Sequence, residues 1–128
     1  MSAPFVLIST SSIKEGKLDD YKTFTNKMVE IIEANEPRLR AFSTSSNKDG
    51  TTVTTVQIHP DADSMVFHLQ IVREKMDTAF EHIKLESVII SGEVNDQVLE
   101  MVKQISGSGV PVNVYPEILG GFAREIEG

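Results

Sequence analysis

The chain has 128 residues, no cysteine, 40% hydrophobic and 24% charged residues, and a formal net charge of -7. That length and composition fit one domain with a modest core that needs no metal or disulfide to hold it. The missing cysteines exclude disulfides, thiolate metal sites, iron–sulfur clusters and a cysteine nucleophile, and an acidic chain without a Lys/Arg cluster lacks the footprint of a nucleic-acid binder.

From the N-terminus, Phe5–Thr10 (FVLIST) is an apolar, β-branched run that predicts a buried strand. Ser11–Gly16 turn the chain, Gly16 supplying a permissive residue at the corner. From Lys17 the period changes. Leu18, Tyr21, Phe24, Met28, Ile31 and Ile32 recur at steps of three and four, the mark of one helical face. Asp19 and Asp20 suit the positive end of that helix, and Pro37 should stop it near Asn35. Leu39–Ser46 and Thr51–His59 read as a β-hairpin around the turn Asn47-Lys48-Asp49-Gly50. Asp63 or Ser64 can cap a second helix, whose stripe of Met65, Leu69, Val72, Met76, Phe80 and Ile83 carries it to about Ile83. Ser87–Val94 is a further strand. Asn95 or Asp96 can cap a shorter helix with Val98, Leu99, Val102 and Ile105 on one face, and Val110–Tyr115 alternates like a strand that Pro111 confines to an edge.

Strand, helix, strand, strand, helix, strand is the split βαβ, ferredoxin-like order. The expected fold is therefore an α+β sandwich in one domain over 1–128: a core of 4–94, an extension of 95–123 with an extra helix and edge strand, and a polar tail of 124–128. Both helices of the core lie on one face of an antiparallel sheet, so the other face needs a partner. Phe42 with Arg40 and Thr44, and Val53 with Thr55 and Gln57, form a half-apolar phase that is expected to face outward, into an oligomer interface or a ligand cavity.

The element order resembles the antibiotic biosynthesis monooxygenase-like proteins of the dimeric α+β barrel superfamily. The resemblance covers roughly 4–94. It rests on the glycine turn Lys14-Glu15-Gly16-Lys17, on Glu36-Pro37-Arg38 before the second strand, and on a histidine early in the second helix, Met65-Val66-Phe67-His68-Leu69. It implies a homodimer joined sheet to sheet, with a pocket in each protomer between sheet and helices. It also implies binding, and cofactor-free oxidation, of a small aromatic or apolar ligand. A non-enzymatic ligand-binding or structural dimer is the alternative, and a haem protein the third reading.

Three histidines are the candidate acid/base groups: His68, His59 and His82. His68 and His82 stand seven residues apart, roughly 10 Å along a helix axis, so they cannot share a metal. No metal and no cofactor are expected. His68 ranks first, since it borders the apolar stripe and matches a family position. His82, in TAFEHIK, resembles the axial-histidine segment of haem-degrading relatives, but the chain has no tryptophan to go with it. His59 ends a strand before Pro60. Tyr21, Phe24, Phe42 and Phe67, with Phe80 and Tyr115, are the aromatic residues able to wall a substrate pocket. Glu30, Glu33 and Glu36 read as a solvated helix face. No membrane span and no basic leader are present, so a cytoplasmic protein is expected.

Overall fold

The computed structural model describes residues 4–124. Ten elements follow in order: β1 (Phe5–Ile13), α1 (Leu18–Asn35), β2 (Ala41–Ser46), β3 (Thr52–His59), α2 (Ala62–Val72), a single 3₁₀ turn (Arg73–Lys75), α3 (Met76–His82), β4 (Ile83–Ser91), α4 (Asp96–Ser106) and β5 (Val112–Tyr115). The polar tail expected at 124–128 lies, beyond Arg124, outside the described residues.

The sheet runs β2-β3-β1-β4-β5. Its first four strands are antiparallel. β5 joins β4 in parallel, with Val88 opposite Val112 and Ile90 opposite Val114. A parallel neighbour demands a crossover, and α4 supplies it. The ferredoxin-like core expected from the sequence is therefore extended by one βαβ step. No helix of the described residues is long and apolar enough to cross a membrane.

The corner at Lys14–Lys17 is a turn closed by Lys17 N–H donating to the Lys14 carbonyl at 3.0 Å, with Gly16 at φ 76°. That backbone conformation favours glycine. No side chain caps α1. α2 is capped by Asp61, two or three residues earlier than expected, whose carboxylate accepts the Ser64 N–H at 2.9 Å. Asn95 caps α4 in the same way, accepting from Val98 at 2.8 Å.

The second helix does not run unbroken to Ile83. It tightens into the 3₁₀ turn after Val72 and resumes as α3. The strand expected from Ser87, β4, begins at Ile83. A β-bulge accounts for the difference: β1 pairs Thr10 with Ser87 and Ser11 with Leu85, leaving Glu86 as the extra residue. Ile83 is buried and Leu85 half-buried on one side of it, and Val88 and Ile90 are buried on the other, so the inward phase changes from odd to even at the bulge. A period-two pattern cannot survive that change.

The sheet faces are also the reverse of the sequence expectation. Leu7, Phe42, Val53, Thr55 and Gln57 face the helices and line the interior. The open face carries Val6, Ile8, Val56, Ile58 and Ile89 among serines and threonines. Three of these lie in one cross-strand row, since Ile8 pairs with Val56 on one side and Ile89 on the other.

The core falls into three groups. Phe5, Leu7, Met65, Val66, Leu69, Val88, Ile90, Val98 and Val102 form the largest. Tyr21, Val53 and Ile83 form a second, and Met28, Ile32 and Val72 a third. A cavity between sheet and helices touches members of all three.

Candidate functional site

The cavity encloses about 140 Å³. That is below the roughly 300–1,000 Å³ usual for drug-sized ligands and close to an engineered cavity of about 150 Å³ that holds benzene. Its walls are mainly apolar. Met28, Ile32, Phe42, Leu69, Val72 and Met76 surround one part, and Phe24, Phe80 and Ile83 another. α4 closes a side with Val102, Ile105 and Ser106, so the extension contributes to the wall.

Six polar or charged residues are buried among the described residues: Ser11, Glu36, Gln57, His59, Ser64 and His68. All but Ser11 belong to one connected group, which reaches the cavity through Gln57 and His68. Buried polar side chains are costly unless paired, so their convergence points to a site.

Glu36 is the first component. Pro37 keeps residue 36 out of helical geometry, and Glu36 sits at φ -126° and ψ 76° just beyond α1. It is 4% exposed. This corrects the reading of Glu36 as part of a solvated face with Glu30 and Glu33. Leaving the helix turns its carboxylate inward, where both oxygens meet His68 Nδ1, at 2.8 and 3.0 Å.

His68 lies in α2 four residues after Ser64, on the same helical face. It is buried, lines the cavity and stacks obliquely on Phe42 at 5.9 Å between ring centres. A carboxylate facing Nδ1 fixes the proton there. In the neutral ring Nε2 is then the acceptor.

His59 stands behind this pair. It is fully buried, at the end of the inward phase of β3, with its ring edge-on to His68 at 5.7 Å. Its Nδ1 lies 2.7 Å from Ser64 Oγ and its Nε2 3.1 Å from Gln57 Oε1. Nε2–H donates to the amide oxygen, and the Ser64 hydroxyl donates to Nδ1. Burial, helped by the neighbouring His68, lowers its pKa to about 3, so it is neutral near pH 7. His59 is thus a connector and not a titrating group. Outside, Asp61 is bonded to Arg38, which ties the Pro37 loop to the start of α2. Burial pushes the Asp61 carboxyl up, but the Ser64 N–H and the Arg38 guanidinium outweigh it and hold it below the usual carboxylate range.

At the other part of the cavity Tyr21 is buried, its hydroxyl shared with Thr25 and Thr55. Burial pushes its pKa up, so it stays a neutral phenol. Tyr21, Phe24 and Phe42 line the cavity, as does Phe80. Phe67 does not: it is 43% exposed, one step around the helix from His68 and facing away. Tyr115, on the edge strand, is also exposed. His82 is not a wall residue. Its Nδ1 is buried without a hydrogen-bond partner, and its ring lies 6.1 Å from Phe24. His59 and His68 are brought together, and His82 is not.

No family model matches the chain, and no curated protein is detectably similar in sequence. Solved structures are similar in fold. MupZ from Pseudomonas fluorescens aligns over 97% of this chain and 91% of its own, with a TM-score of 0.75 and 19% identity. A protein from Bacteroides thetaiotaomicron described as a candidate antibiotic biosynthesis monooxygenase aligns over 65% of this chain and 83% of its own, with a TM-score of 0.58 and 18% identity. One so described from Nitrosomonas europaea matches over 65% and 82%, with a TM-score of 0.58 and 19% identity.

The chain has the antibiotic biosynthesis monooxygenase-like fold. The two shorter alignments leave about a third of this chain unmatched, whereas the alignment with MupZ leaves almost none.

A haem does not fit this cavity: its volume of about 140 Å³ is below that usual even for drug-sized ligands, and His82, the histidine singled out for that role, does not line it.

Proposed function

We propose that this chain binds a small, largely apolar molecule in the cavity and that the Glu36–His68 pair removes a proton from it. The observation that carries this reading is a buried carboxylate–imidazole pair whose imidazole, His68, lines a mainly apolar cavity. The carboxylate orients the ring and stabilises the imidazolium that forms when Nε2 takes the proton. The dry walls hold the substrate against the base.

Such deprotonation is the step a cofactor-free oxygenase requires of its protein. An electron-rich aromatic anion then reduces O₂ itself. The names of the Bacteroides and Nitrosomonas structures agree with this outcome. A binding domain without turnover is the second reading, favoured by the cavity volume, which leaves little room for O₂ beside an aromatic ring. Two copies joined by the open sheet face complete the proposal, supported by the row Val56, Ile8 and Ile89.

The test is a panel of small hydroquinones and phenols, followed by NMR of the His68 ring and by oxygen uptake. Binding should shift the His68 resonances. Oxygen uptake that is abolished in His68→Phe establishes the enzyme. Binding without uptake selects the second reading, and no shift with any compound ends both.

A further inference from the structure

Gln57 has a buried amide whose two ends do different things. Its oxygen accepts from His59 Nε2 at 3.1 Å. Its NH₂ group has no hydrogen-bond partner among the described residues, yet the side chain is 7% exposed and lines the cavity beside His68. Since His82 Nδ1 is the one enclosed, unbonded side-chain polar atom among the described residues, the Gln57 NH₂ group borders open space and can donate into it. With the amide oxygen toward His59, Nε2 carries the ring proton, Nδ1 accepts from the Ser64 hydroxyl, and the NH₂ group is left on the cavity side.

We propose that Gln57 is the second half of the site, an N–H donor aimed at a substrate oxygen that becomes negative as His68 takes the proton. The ligand is then an apolar molecule with one polar end, a phenol, an enol or a carbonyl with an acidic neighbouring C–H. The bond that breaks is O–H or C–H. Its electron pair stays on the substrate as phenolate or enolate, the proton goes to His68 Nε2, and the new charge is met by the Gln57 N–H. His59 and Ser64 are positioning residues that hold the amide this way round. The inference rests on reading Glu36–His68 as the base, and it adds a requirement which that reading alone does not make: the ligand must carry an acceptor oxygen.

The probes are 4-fluorophenol and fluorobenzene, which differ by one hydroxyl, titrated into the intact protein and followed by ¹⁹F NMR. The wild type should prefer the phenol by roughly tenfold, the worth of one to two net hydrogen bonds. Gln57→Met removes the donor at similar volume. Gln57→Glu keeps a polar group that His59 can still reach but presents no N–H. Both should lose the preference while fluorobenzene affinity stays within about twofold, and either variant alone decides if the other fails to fold. Equal wild-type affinity for the two probes overturns the proposal. So does a preference that persists in both variants. In those cases fluorobenzene binding still upholds the cavity reading. Failure of the wild type to bind either probe overturns both.

Discussion

Glu36 and His68 stand 32 residues apart in the chain and share a hydrogen bond of 2.8 Å, with neither side chain more than 3% exposed. One comes from the residue just after α1, the other from the middle of α2. The pair therefore exists only when the two helices are docked. Removing one partner strands the other in a dry site. Glu36→Ala should lower stability by about 1–3 kcal/mol, the cost of an unsatisfied buried group. Glu36→Gln, which keeps a carbonyl for Nδ1–H, should cost less. Urea unfolding of the two variants checks the order, and equal losses would deny the pair a structural role.

The buried His59 makes stability depend on pH in a predictable direction. Its folded pKa of about 3 lies below the ordinary value of 6.5, so the unfolded chain binds the proton more readily. The stabilisation is complete above the unfolded value and is lost as pH falls from about 6.5 toward about 3. Between pH 7 and pH 5 this group alone should cost about 2 kcal/mol. Urea midpoints over that range should fall in the wild type and fall less in His59→Gln. An equal slope in both proteins would place the acid sensitivity elsewhere.

Ala79 is buried on α3 against the cavity. Ala79→Leu adds three carbons toward open space, so it should cost less than the ~1–3 kcal/mol typical of overpacking. It should abolish fluorobenzene binding. A variant that folds and binds as before would mean that ligands enter by another part of the cavity.

The open sheet face offers a test by charge. Ile8→Asp places a carboxylate in the middle of the row formed with Val56 and Ile89. If two copies pair through this face, sedimentation should show the wild type above 14.1 kDa and the variant at that mass. A wild type that sediments as a single chain at micromolar concentration would remove the pairing.

The elements of this fold were largely legible, because helix stripes, hairpin turn and caps are local signals. Two larger features were not. The sequence does not reveal the phase of β3, since Val53, Thr55, Gln57 and His59 look no more like a core than Thr54, Val56 and Ile58 do. The reason is the site itself: a face that holds a buried polar network has a mixed composition, and so does an uncovered face. Glu36 was missed because its spacing from Glu30 and Glu33 suggests a shared helical surface. The signal that separates it is Pro37, which takes residue 36 off the helix. His68 could be singled out from its place at the edge of the stripe, but its partner and the role of Gln57 depend on contacts that no local pattern contains.

The crossover through α4 has a consequence for the order of events during synthesis. The four antiparallel strands and the first two helical arms are complete once residue 91 has emerged, but Val102, Ile105 and Ser106 close the cavity wall. A nascent chain can therefore reach its basic topology while its binding chamber still lacks a side. Competence to bind would arrive last, with the final helix.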